Sequence, residues 1–169
     1  MSVILVWPPK ELGRVVVERL LSEGDEVRVI APHDEREWYR SLGARVAVGD
    51  PLDPDLVERS SQGARTVVFL DVGGNLAGHF EFALEGARHA GVGRVIVSTP
   101  RRDRYIVDAL RQDPGEHVYL IAGGRFRRRL AHQAVAKAVN AADDLAGTPR
   151  LQLDLTTREG WASLGLDPG

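Results

Sequence analysis

The chain contains no cysteine, so disulfides and cysteine-ligated zinc are excluded, and a reducing compartment is compatible with it. It is nearly without lysine: Lys10 and Lys137 are the only two, and the other basic residues are arginines. No apolar run reaches the roughly 20 residues that a membrane span needs. No basic segment precedes the apolar run Val3-Ile4-Leu5-Val6, so a signal peptide is not expected and a cytoplasmic protein is. Repeats, low-complexity tracts and linkers are also missing. Charge of one sign is not in excess: 22 basic against 24 acidic residues give a net charge of −2, which argues against a nucleic-acid partner. The five histidines (His33, His79, His89, His117, His132) show no ligand spacing, so no metal site is expected.

What is present is a regular alternation. Of 169 residues, 43% are apolar, enough for the core of one domain spanning 1–169. Short apolar runs at 3–6, 26–30, 45–48, 66–70, 95–97, 117–121 and 151–155 read as strands. Between them, apolar residues at helical spacing, with stops at Gly24, Gly43 and Gly91, predict helices. Asp53-Pro54 gives an N-cap followed by a first-turn proline. A helix is expected over 100–112 and a long alanine-rich one over 126–145. Strands alternating with helices predict an α/β fold, a Rossmann-type, doubly wound, mostly parallel sheet of six or seven strands. Ligands of such sheets bind outside the strand C-termini where strand order reverses. That rule directs attention to Trp7–Lys10, Ala31–His33, Asp50, Asp71–Asn75, Ser98–Arg102 and Ala122–Arg125, with Asn75, Arg101, Arg102 and Arg125 as the ligand or partner candidates.

Several segments, taken in order, resemble the atypical short-chain dehydrogenase/reductase superfamily and its NmrA-like, NAD(P)H-binding branch. They are Gly13-Arg14-Val15-Val16-Val17-Glu18-Arg19-Leu20-Leu21, Val27-Arg28-Val29-Ile30, Gly43-Ala44-Arg45-Val46, Gly49-Asp50-Pro51-Leu52-Asp53-Pro54 and Ala90-Gly91-Val92-Gly93-Arg94-Val95-Ile96-Val97-Ser98. The resemblance implies a dinucleotide held across the first turn, with Asp50 on the adenine side. It also implies a homodimer formed through the fourth and fifth helices.

The departures concern the cofactor. The family's loop is G-x-x-G-x-x-G; the matching positions here are Trp7, Lys10 and Gly13. Pro8 and Pro9 further remove two N–H donors from a place that presents N–H groups to phosphate. Lys10 offers a full charge in exchange. The superfamily's Tyr-x-x-x-Lys pair is missing, since Tyr105 is followed four residues later by Ala109. No basic residue follows the second strand at Ala31-Pro32-His33, and the substrate-binding insert between Gly124 and Ala131 is almost absent.

These departures lead to the expectation of a degenerate member that uses no NAD(P). Such a protein binds a small molecule, serves as a regulatory or accessory protein, or works as a cofactor-independent isomerase or cyclase in the crevice. The alternative is an NAD(P)H-dependent oxidoreductase or epimerase with an unusual phosphate loop. A second alternative is an interaction subunit docking a protein partner through Arg101-Arg102-Arg104 and Arg125-Arg127-Arg128-Arg129. No catalytic set stands out. Asp71 and Ser98 end neighbouring strands and are the weak candidates, with Asp71 and Asp50 read equally as turn formers.

Overall fold

The structure, a computed structural model, describes residues 1–72, 74, 76–123 and 128–167, with the side chains of 128–131 outside the description. Seven strands form one sheet: β1 (Ser2–Val6), β2 (Glu26–Ala31), β3 (Arg45–Val48), β4 (Thr66–Leu70), β5 (Arg94–Thr99), β6 (Glu116–Ile121) and β7 (Arg150–Asp154). Their order is β3-β2-β1-β4-β5-β6-β7 and every pairing is parallel. Order reverses between β1 and β4, so the crevice of the doubly wound sheet opens there.

The helices are α1 (Lys10–Ser22), α2 (Arg36–Ser41), α3 (Pro54–Ser61), α4 (Phe80–His89), α5 (Arg104–Gln112), α6 (Arg128–Asp143) and α7 (Arg158–Ala162). They divide between two cores. Val3 and Leu5 of β1 face α1, α2, α6 and α7, while Ile4 and Val6 face α3, α4 and α5. This is the period-two alternation of a strand covered on both sides, and it explains why β1 is uniformly apolar. Each fully buried branched residue of this kind contributes about 1.5–3 kcal/mol through the area it removes from water. Among the described residues no helix is long and apolar enough to cross a membrane.

Side-chain caps set the starts of α3, α5 and α7. The Asp53 carboxylate accepts from the N–H groups of Asp55 (3.0 Å) and Leu56 (3.2 Å), as expected for Asp-Pro. Asp103 caps α5 in the same way through Tyr105 and Ile106. That cap corrects the expected start of the helix at residue 100. The Tyr119 hydroxyl accepts from the Asp103 N–H (2.8 Å) and Thr99 Oγ1 donates to the Arg101 carbonyl (2.6 Å), which holds 100–102 as a loop. Leu76–Gly78 is a separate 3₁₀ turn ahead of α4.

The far end of the sheet is tied down by charge. The buried Asp143 carboxylate, at the end of α6, accepts from the Thr66 hydroxyl and pairs with Arg65 at 2.8 Å. Arg94 donates to the Ala142 carbonyl at 3.1 Å and to that of Asp143, and pairs with Glu116 at 3.0 Å. The guanidinium thus satisfies carbonyls that an α-helix leaves open at its C-terminus. Replacing Asp143 with Ala leaves the buried Thr66 hydroxyl without its acceptor and takes the carboxylate from Arg65, which is partly exposed. The expected loss is about 2–4 kcal/mol, read as a shifted urea midpoint, with Asp143→Asn costing less.

Candidate functional site

The turn from β1 to α1 has three residues, and the backbone at Trp7 carries them around. Trp7 has φ of +43°, the one non-glycine at positive φ among the described residues. The left-handed turn that glycine normally supplies is therefore retained with a tryptophan in it, at a strain of about 1–2 kcal/mol. Two bonds offset that strain. The Trp7 N–H donates to the Ile30 carbonyl (2.9 Å), and its indole Nε1 donates to the Gly49 carbonyl (2.7 Å). Gly49 follows β3, two strands from β1, so the indole reaches across the C-terminal end of β2.

Pro9 is the N-cap of α1, and no side chain caps it. The first intrahelical bond runs from the Gly13 N–H to the Pro9 carbonyl (2.7 Å). The N–H groups of Lys10, Glu11 and Leu12 therefore have no acceptor within the helix. The turn is clamped from the other side by α2. Tyr39 is fully buried and its hydroxyl donates to the Pro8 carbonyl at 3.4 Å. A Cβ on Gly13 would lie 2.5 Å from that hydroxyl oxygen and 2.9 Å from the Pro8 ring. Gly13 is thus the motif position kept for packing. Trp38 stands edge-on to Tyr39, and the Lys10 ammonium lies 5.1 Å from the centre of the Trp38 ring.

Above these turns is a cleft of about 650 Å³. Its walls are the turn 7–10, Pro32 and Glu35 after β2, residues 50–52 after β3, residues 70–72 at the end of β4, and Leu76, Gly78 and His79 ahead of α4. Most of this surface is apolar; the ionisable groups on it are Lys10, Glu35, Asp50, Asp71 and His79. Burial raises the pKa of Glu35 from its ordinary carboxylate value, opposed by Lys10 and reinforced by Asp34. Burial, with Glu35 and Glu11 adding to it, keeps the Tyr39 phenol protonated. His79 is lowered by burial against the pull of Asp71 and Asp50, and its Nε2 is buried without a hydrogen-bond partner.

The expected site residues fall into three groups. Trp7, Pro8, Pro9, Lys10, Asp50 and Asp71 share the cleft, and Gly13 packs beneath it. Asp50 also forms its turn by accepting from the Leu52 N–H (2.9 Å), and Asp71 accepts from the Gly74 N–H (2.9 Å). Ser98 sits on the neighbouring strand, where its carbonyl accepts from the Asp71 N–H (2.8 Å) and its buried hydroxyl has no partner among the described residues. Arg101 and Arg102 are exposed and do not line the cleft. Asn75, Arg125, Gly124 and Arg127 lie outside the described residues, as do the side chains of Arg128 and Arg129. On the two helices proposed to dimerise, Phe82 and Tyr105 are exposed. Sequence reasoning missed Glu35, Trp38 and Tyr39. Their signal was the Glu35-x-x-Trp38-Tyr39 spacing directly after the second strand, which places an acid and two aromatics beside the first turn.

No family model matches the chain, and no curated protein matches it in sequence. Solved structures do share its fold. A Citrobacter sp. triphenylmethane reductase complexed with NADP(H) matches with a TM-score of 0.72 at 13% identity, covering 90% of this chain and 69% of that one. ChuY, an anaerobillin reductase from Escherichia coli O157:H7, matches with a TM-score of 0.73 at 16% identity, covering 91% of this chain and 96% of that one. Vestitone reductase from alfalfa matches with a TM-score of 0.68 at 11% identity, covering 90% and 76%. The expectation of a protein without NAD(P) is corrected by this finding, since the fold is shared with reductases and one of them holds NADP(H). The physical reason is visible in the first turn. Trp7 and Lys10 put side chains where glycines would leave room, and Pro8 and Pro9 remove two backbone donors, yet the left-handed turn, the uncapped helix start and an ammonium are all there. These groups and the apolar cleft fit the phosphate and adenosine end of a dinucleotide.

Two outcomes test this geometry. Gly13→Ala should lower stability by about 1–3 kcal/mol through overpacking, and adding Tyr39→Phe should recover part of the loss in a urea melt. His79 and His117 both have native values lowered chiefly by burial. The native state then binds fewer protons than the unfolded chain, so stability falls as pH drops through the ordinary histidine value of about 6.5. His79→Gln should flatten that decline between about pH 7.5 and about pH 5.5 without abolishing it, because His117 remains.

Proposed function

We propose that the chain is a small NAD(P)H-dependent oxidoreductase of the atypical short-chain dehydrogenase kind, with a phosphate site built on charge instead of glycine. The observation that carries this reading is the uncapped start of α1, which opens with Lys10 into the cleft at the switch point of the sheet. The N–H groups of the first helical turn and the positive end of the helix favour an anion. The Lys10 ammonium adds a charge-assisted donor in place of the lost backbone contacts. Trp7, Pro51 and Leu52 give the adenosine end apolar walls, and Asp50 gives it an acceptor.

A bound reduced dinucleotide supplies the hydride. The residues of this chain would bind and orient it. No tyrosine–lysine pair is available for proton transfer: Tyr105 lies on α5 with 74% of its surface exposed, and Ala109 stands where the lysine would be. The substrates that suit such a site are conjugated acceptors that take a hydride at carbon and exchange the accompanying proton with water. A simple ketone, whose alkoxide needs a positioned acid, suits it less well.

Calorimetric titration of the purified protein with NADH and NADPH tests the reading. Binding in the micromolar range is expected for at least one of them. Lys10→Ala should weaken it about tenfold, the loss of one charge-assisted bond, with little change in melting temperature because the side chain is exposed. Failure of both nucleotides to bind at millimolar concentration contradicts the proposal.

A further inference from the structure

We infer that the cleft selects a dinucleotide that lacks a 2′-phosphate, and that Glu35 sets this choice. The inference rests on the proposed dinucleotide site and names the cofactor class that it takes.

In sheets of this kind the adenosine ribose lies at the end of the second strand. A carboxylate there accepts from the ribose hydroxyls, whereas an arginine accommodates a 2′-phosphate. Here β2 ends at Ala31, and the 3₁₀ turn that follows, His33–Glu35, delivers Glu35 to the cleft wall with Asp34 beside it. Among the described residues no arginine is part of the wall. Arg36 is next in sequence, but it is not part of the wall, and its Nε lies 3.8 Å from the Glu37 carboxylate.

The charge of the whole lining points the same way. Among the described residues of the wall, Glu35, Asp50 and Asp71 are carboxylates and Lys10 is an ammonium, while burial holds His79 towards its neutral form. These described groups sum to a formal charge of about −2. Lys10 is the one cation on the wall among the described residues, and the same ammonium is also opposed to Glu35 and seated over Trp38. That ammonium and the start of α1 can answer one pyrophosphate. A 2′-phosphate would bring roughly two further negative charges to the side where Glu35 and Asp34 stand. Glu35 is partly shielded from solvent, so salt screens this repulsion less than it would on an open surface.

The test is a pair of titrations with NADH and NADPH in one buffer, followed by calorimetry and by the fluorescence of Trp7 and Trp38 at the edge of the site. For the native chain NADH should bind at least about tenfold more tightly. Glu35→Gln should tighten NADPH by about tenfold and leave NADH within a few-fold. A measurement on the native chain needs no variant: 5′-AMP should displace NADH at lower concentration than adenosine 2′,5′-bisphosphate. Equal or tighter binding of NADPH, or a ratio unmoved by Glu35→Gln, overturns the selectivity and leaves the dinucleotide site standing. Absence of binding by both nucleotides removes the site, and this inference with it.

Discussion

Three residues must carry the chain from the end of β1 to the start of α1, and the cleft depends on how they turn. The turn requires a left-handed backbone at residue 7, and a tryptophan occupies it. A side chain there has to go somewhere. The indole crosses the end of β2 and is held by the Gly49 carbonyl, so the residue that blocks a glycine-type cradle becomes a wall of the cleft. Pro8 and Pro9 then direct the chain into α1 without capping it, and Tyr39 fixes Pro8 from beneath. Strain at one residue, two hydrogen bonds and one buried phenol account for the shape of the site.

The general architecture was legible because it rests on local signals. Uninterrupted apolar runs marked strands covered on both faces, and Asp53-Pro54 marked a helix start that the structure keeps. Where a tertiary contact decides, the sequence reading went astray. Residues 100–102 follow helical spacing, yet the hydroxyls of Thr99 and Tyr119 hold them in a loop until Asp103 can cap α5. Tyr119 comes from the next strand, so nothing local announced it.

The site was legible in part for the same reason. Trp7, Lys10, Asp50 and Asp71 follow strand ends, so topology alone brings them to one cleft. Trp38 and Tyr39 sit on a short helix whose docking on the first turn has no sequence period. The absence of glycines at positions 7 and 10 was read as loss of the cofactor. A glycine motif is one way to present positive potential to a phosphate, and a free helix start with an ammonium is another.

The central claim is that the start of α1 and Lys10 hold the phosphates of a dinucleotide in a cleft walled by Trp7. Crystals of the protein grown with NADH test it most directly. The account predicts a pyrophosphate within hydrogen-bond distance of the Lys10 ammonium and the first-turn N–H groups, with the adenosine end between Trp7 and the turn at Asp50. A nucleotide bound elsewhere, for example against Arg101 and Arg102, or a cleft that stays empty at saturating nucleotide, would contradict it.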